Sequence, residues 1–240
     1  MPLRYEMNIS SFNKIPGYGF DYWISKAMID NFSNLLKERL DCRTGLICGN
    51  NEKYIRYWFE PIFLRIGFGY KSCDDTLDCT CRWFPYNHGG DKRRWYGSHF
   101  EVVNFKNNGM SIKSEKNSML RNSSFYFKKG ITWNRVGSGV KFAARMASQG
   151  FIFDDVSPSG FCNENDYFDI LGYMNSKVFN EYLRLFSNGF KVEIGHISSI
   201  PYKGVRLNIV HTLSENCVSM EKNDWDAFEI SWDFKKHPLV

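Results

Sequence analysis

The sequence predicts an α+β chain: a short-stranded sheet, mixed or antiparallel, held by packing helices. Three observations predict it. Residues 125–154 alternate with the two-residue rhythm of strands and are cut by glycine turns. Residues 164–187 repeat apolar side chains at three- and four-residue steps, the period of a helix. At 240 residues, 43% hydrophobic and 24% charged, the chain has globular proportions and length enough for a sizeable core.

In chain order, Met1 to Phe20 reads as an irregular lead-in, punctuated by Pro16, Gly17 and Gly19. Tyr22 to Leu40 reads as an amphipathic helix with Asp21 as its N-cap and Ile24, Met28, Phe32, Leu35 and Leu36 on its apolar face. In 42–63, turn signals at Gly45 and Gly49-Asn50-Asn51 precede Lys53 and Arg56, which sit beside Tyr54, Tyr57 and Trp58. That stretch reads equally as a loop offering polar groups to a nucleic acid or as a solvated loop with an aromatic anchor. Lys71 to Gly97 is loop-rich and ends in the run Lys92-Arg93-Arg94-Trp95-Tyr96. His99 to Phe105 reads as a strand, and Lys106 to Arg121 as a polar surface loop.

Three strands are expected at Gly130–Val136, Val140–Ala147 and Phe151–Asp154, with turns at Gly137-Ser138-Gly139 and Gln149-Gly150. Lys141 and Arg145 then fall on one face, so a hairpin could show both to one side. Glu164 to Ser187 divides into two helices at Asn175-Ser176 and stops at Asn188-Gly189. Lys191 to Pro201 reads as a short strand and turn, and the remainder as a mixed tail with the acidic-aromatic end NDWDAFEISWDF.

Charge is unevenly spread. Between Arg82 and Arg145 stand 13 Lys/Arg against 3 Asp/Glu, a net of +10, while the rest of the chain is net −5. Such an excess is the footprint of a surface for a polyanion, unless it is merely a solvated face. Aromatics are abundant, with 21 Phe, 13 Tyr and 7 Trp; most fill a core, and some on a basic face could stack on bases. The seven cysteines form no regular framework, and no apolar run approaches the ~18 residues of a membrane span. A reduced, cytoplasmic chain is the expectation.

Several chemistries lack their residues. No G-x4-G-K-[ST], G-x-G-x-x-G or H-E-x-x-H occurs. No two of the seven prolines are adjacent, so the Asn/Asp-Pro-Pro-aromatic motif of amino-methyltransferases is missing. Cys73, Cys79, Cys81 and His88 fit no standard zinc spacing. Asp154-Asp155 lacks the lysine a nuclease centre would need and reads as surface carboxylates. No metal site and no catalytic residue are expected, and a binding module is favoured over an enzyme.

Motifs in order along the chain carry a family resemblance: KIPGYGFDYWIS (14–25), RTGLICGNNEKYIRYWFE (43–60), IGFGYKS (66–72), RWFPYNHGGDKRRWYG (82–97), YFKKGITWNRVGSGVKFAARMASQGFIFD (126–154), LGYMNSKVFNEYLRL with VEIGHISSIP (171–201), and DWDAFEISWDFKKHPL (224–239). With these the chain resembles the central part of the PglX-type adenine-specific DNA methyltransferases of BREX phage defence, relatives of type IIG restriction-modification enzymes. The resemblance implies a target-recognition-type domain without a complete Rossmann-like methyltransferase core. It implies segments 1–41 (lead-in and packing helix), 42–202 (DNA target recognition) and 203–240 (acidic-aromatic end). It further implies double-stranded DNA as partner, a methyltransferase core in cis or trans, and other phage-defence proteins. S-adenosylmethionine would serve the full-length family, with no cofactor held by this chain. The chain looks like a fragment, a split gene product or a truncated reading frame, inactive alone. Candidate DNA contacts are Lys53, Arg56, Arg93, Arg94, Lys128, Trp133, Asn134, Arg135, Lys141 and Arg145, with Arg suited to guanine, Asn to adenine and Lys to phosphate. Rival readings are a protein-interaction module using the acidic-aromatic tail, and a stand-alone nuclease.

Overall fold

Large apolar side chains sort into two cores, and each core has its own sheet. The computed structural model describes residues 15, 17, 24–136, 142–187, 191–204, 208–237, 239 and 240. The first sheet runs β1 (Asp41–Arg43), β10 (Ser159–Phe161), β7 (Gly130–Trp133), β8 (Ala144–Ala147), all neighbours antiparallel. The second runs β3 (Ile55–Tyr57), β5 (Glu101–Asn104), β4 (Trp83–Asn87), β9 (Ile152–Phe153); its last pair is parallel and the others antiparallel. A small antiparallel pair joins β2 (Leu46–Ile47) to β6 (Met119–Leu120). The α+β class with short antiparallel and mixed strands is as the sequence predicts.

The predicted hairpin is present: Thr132 faces Arg145 and Trp133 faces Ala144. Its turn at 137–139 and Lys141 lie outside the described residues. Gly150, at φ +97°, makes the second turn, but the chain then leaves the first sheet and Ile152 pairs beside Tyr86 in the second. The hairpin therefore links the two sheets.

Helices close the first core. In α4 (Glu164–Met174), Tyr167, Ile170, Leu171 and Met174 are buried along one stripe. The break at Asn175-Ser176 falls where the sequence places it. Ser176 caps α5 (Lys177–Leu183) by accepting from Phe179 N at 3.1 Å. Asn175 bonds both backbone groups of Ala144, accepting from its N–H at 3.0 Å and donating to its carbonyl at 2.9 Å. A side-chain amide thus substitutes for a strand partner and pins the helix pair to β8.

Other elements depart from expectation. The helix expected over Tyr22–Leu40 is α1 (Lys26–Asp30), capped by Ser25, followed by 3-10 turns at Asn31–Ser33 and Leu36–Glu38. Leu36 N donates to Ile200 O at 2.8 Å and Leu35 bridges Pro201, so tertiary pairing replaces helical continuation. Short helices α2 (Asn51–Tyr54) and α3 (Lys106–Lys113) stand in stretches read as loops. VEIGHISSIP holds α6 (Ile194–Ser198) instead of a strand. The tail forms α7 (Asn208–Trp225), which lies along α4. The first core draws Ile24 and Leu40, Trp133 and Tyr167, and Val218 and Trp225 into one cluster. The second gathers Phe84, Phe105, Phe127 and Ile152. Among the described residues, no helix is long and apolar enough to cross a membrane.

Candidate nucleic-acid interface

Most of the cations singled out in the sequence are held by the protein itself. Trp133 is 0% exposed, inside the first core, and cannot stack on a base in this fold. Arg145 is 1% exposed. Its Nη2 donates to Gly89 O at 2.9 Å and its Nη1 to Asn134 Oδ1 at 3.0 Å. Burial pulls its guanidinium down to about 10. The expectation that Arg145 is displayed on a basic face of the hairpin is therefore corrected, and the outer edge of β8 is closed by Trp95, whose N–H bonds Ala144 O and whose carbonyl accepts from Met146 N. Asn134 turns inward too, donating to Gly90 O at 2.6 Å.

Arg135 is half-buried between two carboxylates, pairing with Asp155 and, at 2.9 Å, with Glu193. Arg93 pairs with Asp224 at 2.7 Å and Glu221 at 3.3 Å on α7, and its guanidinium lies over the Trp225 ring. Lys53 is exposed on α2 and pairs with Glu115 at 2.7 Å. Arg94 is exposed. Lys128 is exposed above the Phe125 ring, beside a shallow recess that also holds Glu38 and Asp41. Asp155 pairs with Arg121 and Arg135, and Asp154 is buried facing His88, which bonds Glu101 at 2.8 Å. Cys73, Cys79 and Cys81 pack against the second core.

Part of the excess positive charge of 82–145 is thus met in space. Asp155, Glu164, Glu193, Glu221 and Asp224, all outside that segment, pair with Arg121, Lys129, Arg135 and Arg93 inside it.

Where cations collect without such partners is a cleft of about 760 Å³ on the second sheet. Arg56 comes from β3, Trp83 from the start of β4 and Arg82 from the position just before it, Asn104 from the end of β5, Lys106 from the start of α3, and Arg65 from the 3-10 turn Phe63–Arg65. Register makes the grouping: β3 and β4 flank β5, and Trp83 stands opposite Asn104. Arg82 N donates to Arg65 O at 2.9 Å and Gly67 N to Trp83 O at 2.8 Å, lashing the turn to β4. The Arg56 and Arg82 guanidinium groups stand 5.8 Å and 5.5 Å from the Trp83 ring centre. Arg65 also donates to Thr80 O at 2.9 Å, and Arg56 to its neighbouring carbonyls. Among the described residues, no carboxylate pairs with Arg65, Arg82 or Lys106. Glu60, on the rim, accepts from Tyr57 N at 2.6 Å. Four cations share this cleft with one aromatic ring and with Asn104 and Ser111, a set of positive charges and hydrogen-bond donors of the kind an anion needs.

Of the nine sequence candidates among the described residues, Arg56 alone lines this cleft. Arg65, Arg82 and Lys106 were missed as contacts. Arg65 is hidden in the apolar run PIFLRIGF, and Lys106 sits in a stretch read as a surface loop. The signal present in the sequence is the interleaving of basic residues with Trp83, the same pattern as in 128–145.

No family model matches the chain. Two curated proteins are similar to it over nearly its full length. The adenine-specific methyltransferase PglX of Lacticaseibacillus casei (strain Zhang) is 34% identical over 247 residues, 98% of this chain and 20% of that protein. The adenine-specific methyltransferase BrxX of Escherichia coli O9:H4 (strain HS) is 32% identical over 235 residues, 96% of this chain and 19% of that protein. The chain therefore spans about a fifth of their length. By this match the chain is a relative of the PglX-type adenine-specific methyltransferases.

Proposed function

We propose that this chain is the DNA-recognising part of a site-specific adenine-N6 methyltransferase system of phage defence, acting with a methyltransferase core in cis or in trans. The observation that carries the reading is the cleft of Arg56, Arg65, Arg82 and Lys106 around Trp83, in a relative of adenine-specific methyltransferases. Cations without carboxylate partners are what phosphate contacts require, and such contacts set register and orientation on a duplex. Adenine methylation would need the base turned out of the stack into a catalytic pocket. S-adenosylmethionine and that pocket would belong to the core, and other defence proteins and a cytoplasmic setting go with the same reading.

Selection from a random duplex pool tests it. The purified chain is expected to retain duplexes that share a short adenine-containing motif. Recovery of DNA without any enriched motif would contradict target recognition. Failure to retain DNA at low salt would contradict DNA binding altogether.

A further inference from the structure

The cleft has an apolar lip. Pro61 and Ile62 line the cleft and lead directly into the 3-10 turn Phe63–Arg65. Ile62 is 71% exposed and Leu64 85%, a poor use of aliphatic side chains unless something covers them. The turn is not slack. Arg65 N donates to Ile62 O at 2.8 Å, Ile66 N to Phe63 O at 2.9 Å, and Ile66 bridges Trp83 on β4. Behind it stands a buttress of rings. Phe63 meets Trp58 at 6.4 Å and Phe68 at 5.5 Å, and both of those meet Trp232, at 6.5 Å and 5.2 Å. Ile62 in the cleft lining, and Leu64 two residues on, are thus held on a hydrogen-bonded turn beside four cations, none of which pairs with a carboxylate among the described residues.

We propose that Ile62 and Leu64 form a wedge that enters the base stack of a DNA duplex held in the cleft. The inference rests on the DNA-binding reading and deepens it. The occupant is chosen by charge: a body covering the lip would also face Arg56, Arg65, Arg82 and Lys106, and a duplex brings phosphates to them while offering apolar base faces a few ångströms away. Apolar side chains pushed between base steps unstack and bend DNA, and that unstacking is cheapest where a base is already missing or mispaired. An enzyme that must turn out an adenine needs such help at the point where the stack opens.

This cost difference gives a test independent of the recognised sequence. The chain is titrated with two duplexes of identical sequence, one intact and one with a single central abasic site, at several salt concentrations. The wild type is expected to prefer the abasic duplex by roughly tenfold, because insertion there no longer costs a full unstacking. Leu64→Ala should erase the preference, Leu64→Met should keep most of it, and neither should alter the salt dependence, since Leu64 carries no charge. Equal wild-type affinity for the two duplexes overturns the wedge while leaving DNA binding intact. So does a preference that survives Leu64→Ala. Absence of salt-dependent binding to either duplex overturns the wedge together with the reading beneath it. If Leu64→Ala changes neither affinity but abolishes self-association in sedimentation, the lip is a protein contact and the wedge is wrong.

Discussion

His99 shows what single side chains do here. It lies 2% exposed among rings, 4.8 Å from Tyr96, 4.6 Å from Phe151 and 5.7 Å from Trp232, and its Nε2 is buried without a partner. Burial, reinforced by the charges of Arg145 and Lys222, pushes its imidazole from 6.5 to about 3. A depressed value means that its contribution to stability is whole above 6.5 and is lost as pH falls towards about 3. Each pH unit in that window costs about 1.4 kcal/mol. His99→Phe keeps a ring in the cage and removes the titration. In urea unfolding, the wild type should therefore lose about 2 kcal/mol more than the variant between neutral pH and about pH 5. Parallel losses in the two proteins would show that His99 is not buried neutral.

The residue scale is also where the sequence misleads most. Arg135, Arg93 and Arg145 carry the residue type a base reader needs, and sequence alone shows no partners for them. Their partners are far along the chain: Glu193 is 58 residues from Arg135, and Asp224 is 131 from Arg93. Local charge counting cannot see a pair closed over such separations. Arg56 was found because its aromatic neighbours are adjacent in sequence.

At the scale of elements, legibility followed the strength of the apolar stripe. Tyr167, Ile170, Leu171 and Met174 announce α4, and Asn175-Ser176 announces its end. α7 is hidden because its buried residues are Ser214, Val218 and Trp225, while Ile209, Leu213 and Met220 are exposed. A serine stands where the stripe needs an apolar residue because α4 and α7 cross there with little room: a Cβ on Gly172 would come within 2.2 Å of Ser214 Oγ and 3.3 Å of Val210 Cγ1. Gly172→Ala adds helix propensity but overpacks this crossing, at a net cost of about 1–2 kcal/mol. Ser214→Ala removes the clashing oxygen and leaves the Cβ at 3.5 Å, an ordinary contact. In thermal denaturation the double variant should be more stable than Gly172→Ala alone, by about 1 kcal/mol or more of coupling. Additive losses would mean that the helices do not cross at this pair. The helix expected over Tyr22–Leu40 shows the opposite failure: its helical period is real, but Leu35 and Leu36 pair with Pro201 and Ile200 and end the helix early.

Across the whole molecule, folding decides where positive charge remains. The sequence places it at 82–145; folding brings carboxylates from 155 to 224 onto that segment and leaves the cleft on the second sheet. The two cores keep these regions apart, one sheet carrying the paired Arg135 and buried Arg145 and the other the cleft. The most direct measurement compares the salt dependence of duplex binding for the wild type and for the Arg82→Ala/Lys106→Ala protein. Both side chains are exposed, so the fold should survive their loss. The log affinity of the wild type is expected to fall steeply with log salt, and the double variant's slope to be shallower by about 0.9 for each lost contact. A wild-type slope near zero, or a steep slope that the double variant leaves unchanged, would contradict that expectation.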